Sequence, residues 1–438
     1  MEQHIPGIVL KDGLTQPVFD YKRCLFEKVY VETPVDTDGD GRLDLIAVYI
    51  RRPLETTQGM RVPAIYVANP YMLECNEDWY VPHDVDRDVS PYPQQHITES
   101  DITFDPSTVS FPQPRYPRAT IGYADTAPTE EIPLDCISDW YSYFNSRGYA
   151  SVFCGGLGTR GSQGFNCCGS PEETAAFKAV IDWLNGRCRA FTNLTDNIEI
   201  RADWCTGKVA MSGKSYLGTM CIAVASTGVE GLETIIPEAA ISNWYDYYRC
   251  NGLNLPAIGW QGDDLDILAK YCFSRAKDPE DYASVREAYA AWLEGIAADE
   301  DRDSGNYSRW WDMRNYLKAA DRFKASVFLV HGLADWNVKP THCVNLFAAM
   351  ESRGIPCKMM LHQGGHIYIH DLQGSRFNEM LHLWLDHWLY GIENGAAERI
   401  PNVLVQSNLD QDLWLASPSF PAVKGYTEPV LMPAQESG

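Results

Sequence analysis

The chain has 438 residues, 45% of them hydrophobic, which suffices for one large α/β domain with insertions or for two domains and argues against wholesale disorder. Its formal net charge of −23 disfavours nucleic acid and anionic membranes as partners. The first residues show no basic region followed by an apolar run, and no apolar stretch reaches membrane-spanning length, so we expect a cytoplasmic protein. Thirteen cysteines without a C-x-x-C pair are expected to be reduced thiols.

Strands and helices are predicted to alternate along most of the chain. Seven segments have the composition of strands: 43–52, 62–71, 149–156, 208–212, 232–240, 325–332 and 357–365. Residues 80–135, rich in Pro, Asp and Tyr, show no sustained periodicity and are predicted to be an irregular excursion. A helix is predicted to begin at Pro171, with Ser170 as its N-cap and Glu173 completing a capping box. Three further helices are expected: one after residue 216, one near 340–353 and one over 375–391.

This alternation predicts an α/β fold with a mostly parallel sheet flanked by helices. Residues 242–322 are helical in pattern and rich in Trp and Tyr, and we expect a helical cap insertion over the carboxyl edge of the sheet, where such folds bind ligands. The cap would divide the core into residues 25–241 and 323–400. Residues 401–438 start a β-like segment, which we expect to be an incomplete β-sandwich.

Two glycine-containing motifs each allow a functional and a structural interpretation. DTDGDGRLD (36–44) has the acidic spacing of a calcium loop, but Ala47 stands where a bidentate Glu should be. A polar hairpin turn is therefore the better interpretation, and a weak structural cation stays open. GLGTRG (156–161) spells G-x-G-x-x-G after a predicted strand. Since the next helix is predicted to begin only at Pro171, its N-terminus would not meet a pyrophosphate, and we do not expect nucleotide binding.

The stretch MSGKSYLGTM (211–220) has the setting of a nucleophile elbow, in which a strand turns sharply at a serine and a helix follows. Gly213 precedes Ser215 by two residues, as G-x-S-x-G requires, but Leu217 occupies the second glycine's place and the next glycine comes one residue late. Such a turn would expose the Ser215 hydroxyl and place the Tyr216 N–H where an oxyanion would form. Taken alone, the motif is equally compatible with an ordinary serine at a helix start.

Two later turns contain the partners that a serine nucleophile needs. An α/β hydrolase orders its triad as Ser, then Asp or Glu, then His. HGLADWNVKP carries Asp335 after one predicted strand, and HQGGH carries His366 after the next. The histidine would take the proton of Ser215, and the aspartate would fix the imidazole tautomer and stabilise its charge. Asp335 could instead cap a helix and His366 could be a polar loop residue, but the order and setting of all three favour a triad.

Longer stretches resemble the Xaa-Pro dipeptidyl-peptidases, a family of α/β-hydrolase serine peptidases. They are GKSYLGTM, TGVEGLETIIPEAAISNWYDYYRCNGL, GDDLDILA and HGLADWNVKPTH, and the resemblance covers most of residues 25–410. The elbow of that family reads G-K-S-Y-L-G, so the late glycine is normal there. More distant relatives with a similar elbow include α-amino acid ester hydrolases and cocaine-esterase-like enzymes.

The resemblance implies roles for eight residues. Ser215 would be the nucleophile, Asp335 the orienting acid and His366 the general base. Two groups would donate to the oxyanion, the Tyr216 N–H and the Tyr71 hydroxyl, although Tyr71 could also be a packed aromatic. The substrate-binding residues implied are Trp244 and Tyr247 for the proline ring and Asp263 for the free α-ammonium, at a position where the family usually has Glu. Aromatic residues at helical spacing are also typical of a core, and acids at a helix start are typical of dipole partners.

The resemblance implies a serine exopeptidase that releases Xaa-Pro dipeptides from peptide N-termini through an acyl-enzyme, without cofactor or metal. Family members are much longer, with an N-terminal helical domain and a C-terminal β-sandwich, so we expect the chain to be truncated at both ends. A homodimer stays open, because the N-terminal domain is often used for dimerisation. The alternatives are an esterase or α-amino acid ester hydrolase on the same scaffold, and a truncated inactive remnant.

Overall fold

The computed structural model describes residues 5–86, 96–132, 139–256, 260–372, 376–421 and 428–431. Within these ranges, fourteen strands form one mixed sheet. In chain order they are β1 (Leu25–Glu32), β2 (Leu45–Arg52), β3 (Val62–Ala68), β4 (Gly122–Ala124), β5 (Ala150–Cys154), β6 (Ala190–Phe191), β7 (Ile198–Ile200), β8 (Cys205–Lys214), β9 (Leu232–Glu238), β10 (Ser326–Gly332), β11 (Cys357–His362), β12 (Val403–Gln406), β13 (Leu413–Ser417) and β14 (Glu428–Leu431).

The same ranges contain the following α-helices: α1 (Glu99–Ile102), α2 (Asp139–Asn145), α3 (Pro171–Leu184), α4 (Tyr216–Ala225), α5 (Trp244–Tyr248), α6 (Leu265–Cys272), α7 (Pro279–Asp299), α8 (Arg309–Asp312), α9 (Thr341–Glu351), α10 (Phe377–Tyr390) and α11 (Ala396–Arg399). Two short ribbons pair outside the sheet, Leu10–Lys11 with Leu14–Thr15 and Arg249–Cys250 with Leu253–Asn254.

The sheet runs in the order β14-β13-β12-β11-β10-β9-β8-β3-β5-β2-β1-β6-β7-β4. Its central block, from β12 to β5, is parallel throughout. Antiparallel pairs flank the block on both sides, β13 on β12 and β2 on β5. Parallel neighbours need crossover connections, which the helices supply. The predicted mostly parallel sheet with flanking helices is confirmed.

Helices cover both faces of the parallel block. In β10, Val327 and Leu329 lie in one apolar cluster with residues of α3, α4 and α9, whereas Phe328 and Val330 lie in a second cluster with residues of α2 and α10. Successive side chains of a strand point to opposite faces, so one strand contributes to both clusters. Burial on both faces explains why the central strands appear in the sequence as continuous apolar runs.

The seven predicted strands are confirmed, with ends that shift by up to three residues. The predicted helices correspond to α3, α4, α9 and α10, and residues 242–322 contain α5 to α8. β12 pairs in parallel with β11, so the segment after residue 400 extends the central sheet through β12, β13 and β14. The division of the chain into domains stays a prediction.

The DTDGDGRLD motif forms a polar turn between β1 and β2, which pair antiparallel. Asp36 accepts the N–H groups of Gly39 and Gly41 through its two oxygens, each at 2.9 Å. Asp38 Oδ2 lies 2.7 Å from Arg275 Nη1 in a buried ion pair. The predicted polar turn between two strands is confirmed. Asp36, Asp38 and Asp40 each bring one carboxylate oxygen within 4.8 Å of the other two, so the weak structural cation stays open.

α3 begins at Pro171 as predicted, but only one of the two predicted capping-box hydrogen bonds forms, and the prediction of the other was wrong. Ser170 Oγ accepts the Glu173 N–H at 3.3 Å, as expected. The Glu173 carboxylate accepts from the Gly169 N–H at 2.5 Å and from the Tyr216 hydroxyl at 2.8 Å, rather than from Ser170. Glu173 therefore ties the start of α3 to the start of α4.

Within the described ranges, every helix is too short or too polar to cross a lipid bilayer. The cysteines of these ranges carry free thiols, including the adjacent Cys167 and Cys168.

Candidate active site

Four of the predicted site residues follow four parallel strands. Tyr71 follows β3, Ser215 follows β8, Asp335 follows β10 and His366 follows β11. The strands β3-β8-β9-β10-β11 are consecutive in the sheet and parallel, so their carboxyl ends meet at one edge. In open α/β sheets this edge is where ligands bind. The topology therefore brings together residues that lie far apart in the sequence.

Ser215 occupies a strained turn between β8 and α4. Its φ of 62° and ψ of −127° lie in a region that residues with a Cβ atom rarely adopt. The Ser215 N–H donates to the carbonyl oxygen of Glu238 at the end of β9, at 2.8 Å, and the Thr219 N–H donates to Ser215 O at the same distance. β9 on one side and α4 on the other hold this conformation, which is the geometry of a nucleophile elbow.

The late glycine of the elbow has a packing reason. A Cβ atom on Gly218 would lie 2.6 Å from the carbonyl oxygen of Gly213 and 2.9 Å from the Ala240 Cβ. A Cβ atom on Gly213 would lie 2.4 Å from the Leu217 Cβ. Gly213 therefore makes room for Leu217, and Gly218 lets the first turn of α4 lie directly against the end of β8.

We expect Gly218→Ala to lower the free energy of unfolding by about 1–3 kcal/mol, because the added methyl group has no space. Gly295→Ala is the matched control, since Gly295 also lies in a helix and an added Cβ would meet nothing within 4 Å. In the control, the free energy of unfolding should rise by up to about 1 kcal/mol, because alanine has a higher helix propensity than glycine. Urea unfolding followed by circular dichroism measures both, and equal stabilities would refute the packing explanation.

Asp335 and His366 form the predicted pair. His366 Nδ1 lies 2.8 Å from Asp335 Oδ2, and Asp335 Oδ1 accepts the N–H groups of Asn337 and Val338 at 2.9 and 3.0 Å. Burial raises the pKa of the Asp335 carboxyl, but hydrogen bonds from His331 and His366 outweigh it and hold the pKa below its ordinary range. The carboxylate therefore stays ionised and selects the Nδ1–H tautomer, which leaves Nε2 as the basic nitrogen.

Two side chains that the sequence analysis missed connect the His366 turn to the elbow. Lys214 donates from Nζ to the carbonyl oxygen of His366 at 3.3 Å, and Glu238 accepts the Ile369 N–H on Oε2 at 2.8 Å. Lys214 and Glu238 are cross-strand partners at the ends of β8 and β9. Glu238 is only 6% exposed, and a charged residue ending an otherwise apolar strand was the signal that could have identified it.

Within the described ranges, no hydrogen bond joins the Ser215 hydroxyl to the His366 ring. Catalytic hydrogen bonds of this kind are often long until substrate binds. The turn that carries His366 is tied to the elbow through Lys214, the residue directly before Ser215.

Tyr71 and Tyr216 flank Ser215 in a way that suits oxyanion stabilisation. All three residues line the same cavity, and the two rings pack edge to face with centroids 5.8 Å apart. Burial raises the pKa of Tyr71 well above its ordinary value, so its phenol stays protonated and can donate. The Tyr216 hydroxyl is bonded to Glu173, which leaves the backbone N–H as the group of Tyr216 that can serve the oxyanion.

The cavity beside Ser215 has a volume of about 430 Å³. Its walls include the predicted Trp244, Tyr247 and Asp263. Further wall residues were not predicted: Tyr80, Tyr248, Trp260, Tyr271 and Asn337. The Trp244 ring packs edge-on against the Tyr216 ring, with centroids 5.1 Å apart. The Tyr247 hydroxyl donates to Asn337 Oδ1 at 2.7 Å. The aromatic wall is thus joined to both the elbow and the Asp335 turn.

Asp263 presents a buried carboxylate to this cavity. It is 6% exposed, and its Oδ1 has no hydrogen-bond partner among the described residues. Burial raises its pKa to about 7, an effect larger than the opposing hydrogen bonds of Tyr80 and Tyr248. An unpaired buried carboxylate oxygen is costly by itself and suits a cationic group of a ligand.

A parallel block with a serine elbow at its carboxyl edge is the architecture of the α/β hydrolases. A solved α-amino acid ester hydrolase has the same fold, with a TM-score of 0.51 and 18% identity, over 96% of this chain and 62% of that one. The predicted α/β-hydrolase fold is thereby confirmed.

The family can be stated more closely. The chain belongs to the X-Pro dipeptidyl-peptidase family (S15 family), whose model matches residues 38–368. The Xaa-Pro dipeptidyl-peptidase of Pediococcus pentosaceus is 44% identical over 92% of this chain, and that of Lactiplantibacillus plantarum is 45% identical over 92%. The chain spans about half the length of these relatives, 49% of each. The roles of individual residues stay predictions.

Proposed function

We propose that the chain is a serine exopeptidase that releases Xaa-Pro dipeptides from the N-terminus of peptides. The observation that carries this proposal is the composition of one cavity, in which Ser215 shares the walls with an aromatic surface and the buried carboxylate of Asp263. Family membership supports the same reaction, since the curated relatives in Pediococcus and Lactiplantibacillus are Xaa-Pro dipeptidyl-peptidases.

The reaction would proceed in two acyl-transfer steps. His366 Nε2 takes the proton of Ser215 as Oγ attacks the carbonyl carbon of proline, while Asp335 stabilises the imidazolium. The Tyr216 N–H and the Tyr71 hydroxyl donate to the oxyanion. His366 then gives its proton to the departing amine, and the dipeptide stays on Ser215 as an ester. Water, activated by the same histidine, releases the Xaa-Pro dipeptide and restores the serine.

The aromatic wall supports proline in the penultimate position. Proline presents a flat apolar ring and has no backbone N–H, so a pocket for it needs apolar surface and no matching acceptor. Trp244 and Tyr247 supply such surface, with their rings 6.0 Å apart and nearly perpendicular. The short distance from Ser215 to this wall, within one cavity, fits a residue directly before the cleaved bond.

Asp263 supports the restriction to dipeptides. A free α-ammonium beyond the proline would pair with Oδ1, which has no partner in the described part of the chain, and this contact would exclude longer or blocked N-termini.

Two anilide substrates that differ only in the amine test the proposal. An Xaa-Pro anilide with a free amine should be hydrolysed, whereas the acetylated form should not, because acetylation removes the ammonium. Equal rates on both would exclude an ammonium clamp.

We expect Asp263→Asn to raise KM for the free-amine anilide about 10- to 100-fold with a smaller change in kcat, since a hydrogen bond to a charged group contributes about 1.5–3 kcal/mol. The pKa of about 7 makes this contact pH-dependent: below it the carboxyl is neutral, so KM should fall as pH rises through 7, until the substrate amine deprotonates near pH ~8. The amide introduced by this substitution cannot titrate, so the variant should lose this dependence.

Asp78→Asn is the control for Asp263→Asn. Asp78 is an exposed acid earlier in the chain, and its substitution tests whether the loss of one negative charge by itself changes KM. Its KM should stay within about twofold of wild type. A similar rise in KM for both variants would show that Asp263 acts through the overall field and not as a clamp.

The alternatives make different predictions. An α-amino acid ester hydrolase on this scaffold should prefer short acyl esters over Xaa-Pro amides. An inactive remnant should fold but resist labelling by a serine-directed phosphonate.

The proposed partners are peptides with proline in the penultimate position. The proposed location is the cytoplasm, which the free thiols support. A homodimer stays a prediction from the family resemblance.

A further inference from the structure

A second cluster of titratable side chains lies behind the wall of the cavity, outside the proposed triad. His83, Asp266 and Glu300 each direct one potential ligand atom to a common point, with the three atoms within 4.8 Å of one another. His83 Nε2 is 3.0 Å from Asp266 Oδ1 and 3.8 Å from Glu300 Oε1. Donors around a tetrahedral zinc ion at about 2.0–2.1 Å are separated by about 3.4 Å, so these spacings need little change to hold an ion.

The strongest indication that this cluster is a binding site comes from Glu300. Its side chain is 0% exposed, and Oε1 has no hydrogen-bond partner among the described residues, while Oε2 accepts the Asp266 N–H at 3.1 Å. A buried carboxylate oxygen without a partner is expensive, and it points into the cluster rather than into a hydrophobic region.

The nearby arginines form their side-chain ion pairs with an acid outside the three proposed ligands. Arg249 and Arg302 both pair with the carboxylate of Asp264, at 2.9 and 2.7 Å. Asp266 and Glu300 both face His83 Nε2. His83 forms the more exposed side of the cluster, with 32% of its side chain accessible. A divalent cation between the two carboxyl groups and the imidazole would have oxygen and nitrogen ligands on both sides, and the partly exposed imidazole provides an entry path.

We propose that His83 Nε2, Asp266 and Glu300 bind a divalent transition-metal ion of the zinc class. One imidazole nitrogen with two carboxylates matches the ligands that zinc takes in proteins, whereas magnesium prefers oxygen ligands alone. This site revises the expectation that the protein binds no metal.

The metal would have a structural role in the cavity wall. His83 lies three residues after Tyr80, and Asp266 lies three residues after Asp263. The two segments already touch, since the His83 N–H donates to the carbonyl oxygen of Gly262 at 2.8 Å. An ion shared by both segments would brace the wall that carries Tyr80 and Asp263, without contacting the triad.

Metal binding is tested on the whole chain, stripped with chelator and dialysed against Zn²⁺ or Mg²⁺. Wild type should bind one equivalent of Zn²⁺ that raises Tm by a few degrees, and Mg²⁺ should not replace it. His83→Gln and Glu300→Gln should each weaken this binding at least about tenfold and remove the Tm shift. His96→Gln is the matched control, because His96 is exposed and lies outside the cluster, and it should bind as wild type does.

Three results would overturn the proposal. The first is wild-type protein that binds no Zn²⁺, and the second is zinc binding that survives His83→Gln and Glu300→Gln. The third does not depend on the variants folding: X-ray absorption of zinc-loaded wild type should show nitrogen and oxygen ligands, and sulfur ligands would assign the ion to the cysteines. None of these results depends on peptidase activity, so the metal site and the proposed function fail separately.

Discussion

Ser215→Ala is expected to lower kcat/KM for an Xaa-Pro anilide by about 10⁵- to 10⁶-fold, the loss typical of serine hydrolases without their nucleophile. The hydroxyl is the group that would form the acyl-enzyme, and no neighbouring side chain of the elbow offers a substitute. Steady-state kinetics with active-site titration measures the loss. A variant that keeps more than about one hundredth of the activity would refute the assignment of Ser215.

Ser215→Gly provides the matched comparison, because it removes the same hydroxyl and also the strain. With φ at 62°, a Cβ atom is unfavourable and glycine is not. Both variants should be inactive, but the glycine variant should be more stable than the alanine variant by about 1 kcal/mol. Equal stabilities would show that the backbone at the elbow is not strained.

Asp335→Asn is expected to reduce kcat by about 10⁴-fold with little change in KM, as in other triads that lose the orienting acid. The amide can donate to Nδ1, which favours the tautomer that carries its proton on Nε2 and so blocks the base. The 2.8 Å contact between Asp335 and His366 is the structural basis. Rates above about one tenth of wild type would show that the pair does not orient the base.

Asp335→Asn should also change how the free energy of unfolding depends on pH. Hydrogen bonds from His331 and His366 depress the pKa of Asp335, so the ionised carboxylate contributes stability above its unfolded pKa of about 3.9. That contribution is lost as pH falls below about 4. The difference in unfolding free energy between wild type and Asp335→Asn should therefore shrink as pH falls below about 4. A difference that does not depend on pH would contradict the depressed pKa.

The predicted strands were accurate because burial on both faces produces uninterrupted apolar runs, and the end of each run identifies a sheet edge. β8 leads directly into Ser215, and the ends of β10 and β11 lead to the turns of Asp335 and His366. Once the strands are parallel, the positions of these turns follow from topology. The sequence order of three residue types was therefore enough to predict an edge where they meet.

Other features depend on contacts between distant segments. Glu173 has the spacing of a capping box, but its carboxylate accepts from the Tyr216 hydroxyl at the start of α4 instead of from the Ser170 N–H. Glu238 appears in the sequence as one acid at a strand end, and its role in holding the Ile369 N–H depends on the path of the His366 turn. Neither partner is encoded by local spacing.

The sequence by itself determined the alternation of strands and helices, the elbow with its late glycine, and the order of the triad residues. These features depend on periodicity, steric limits at single positions and residue chemistry, which act over a few residues. Only the tertiary structure decided that Asp263 keeps an oxygen without a partner among the described residues and that Glu300 faces His83, because burial and pairing are properties of segments brought together by folding.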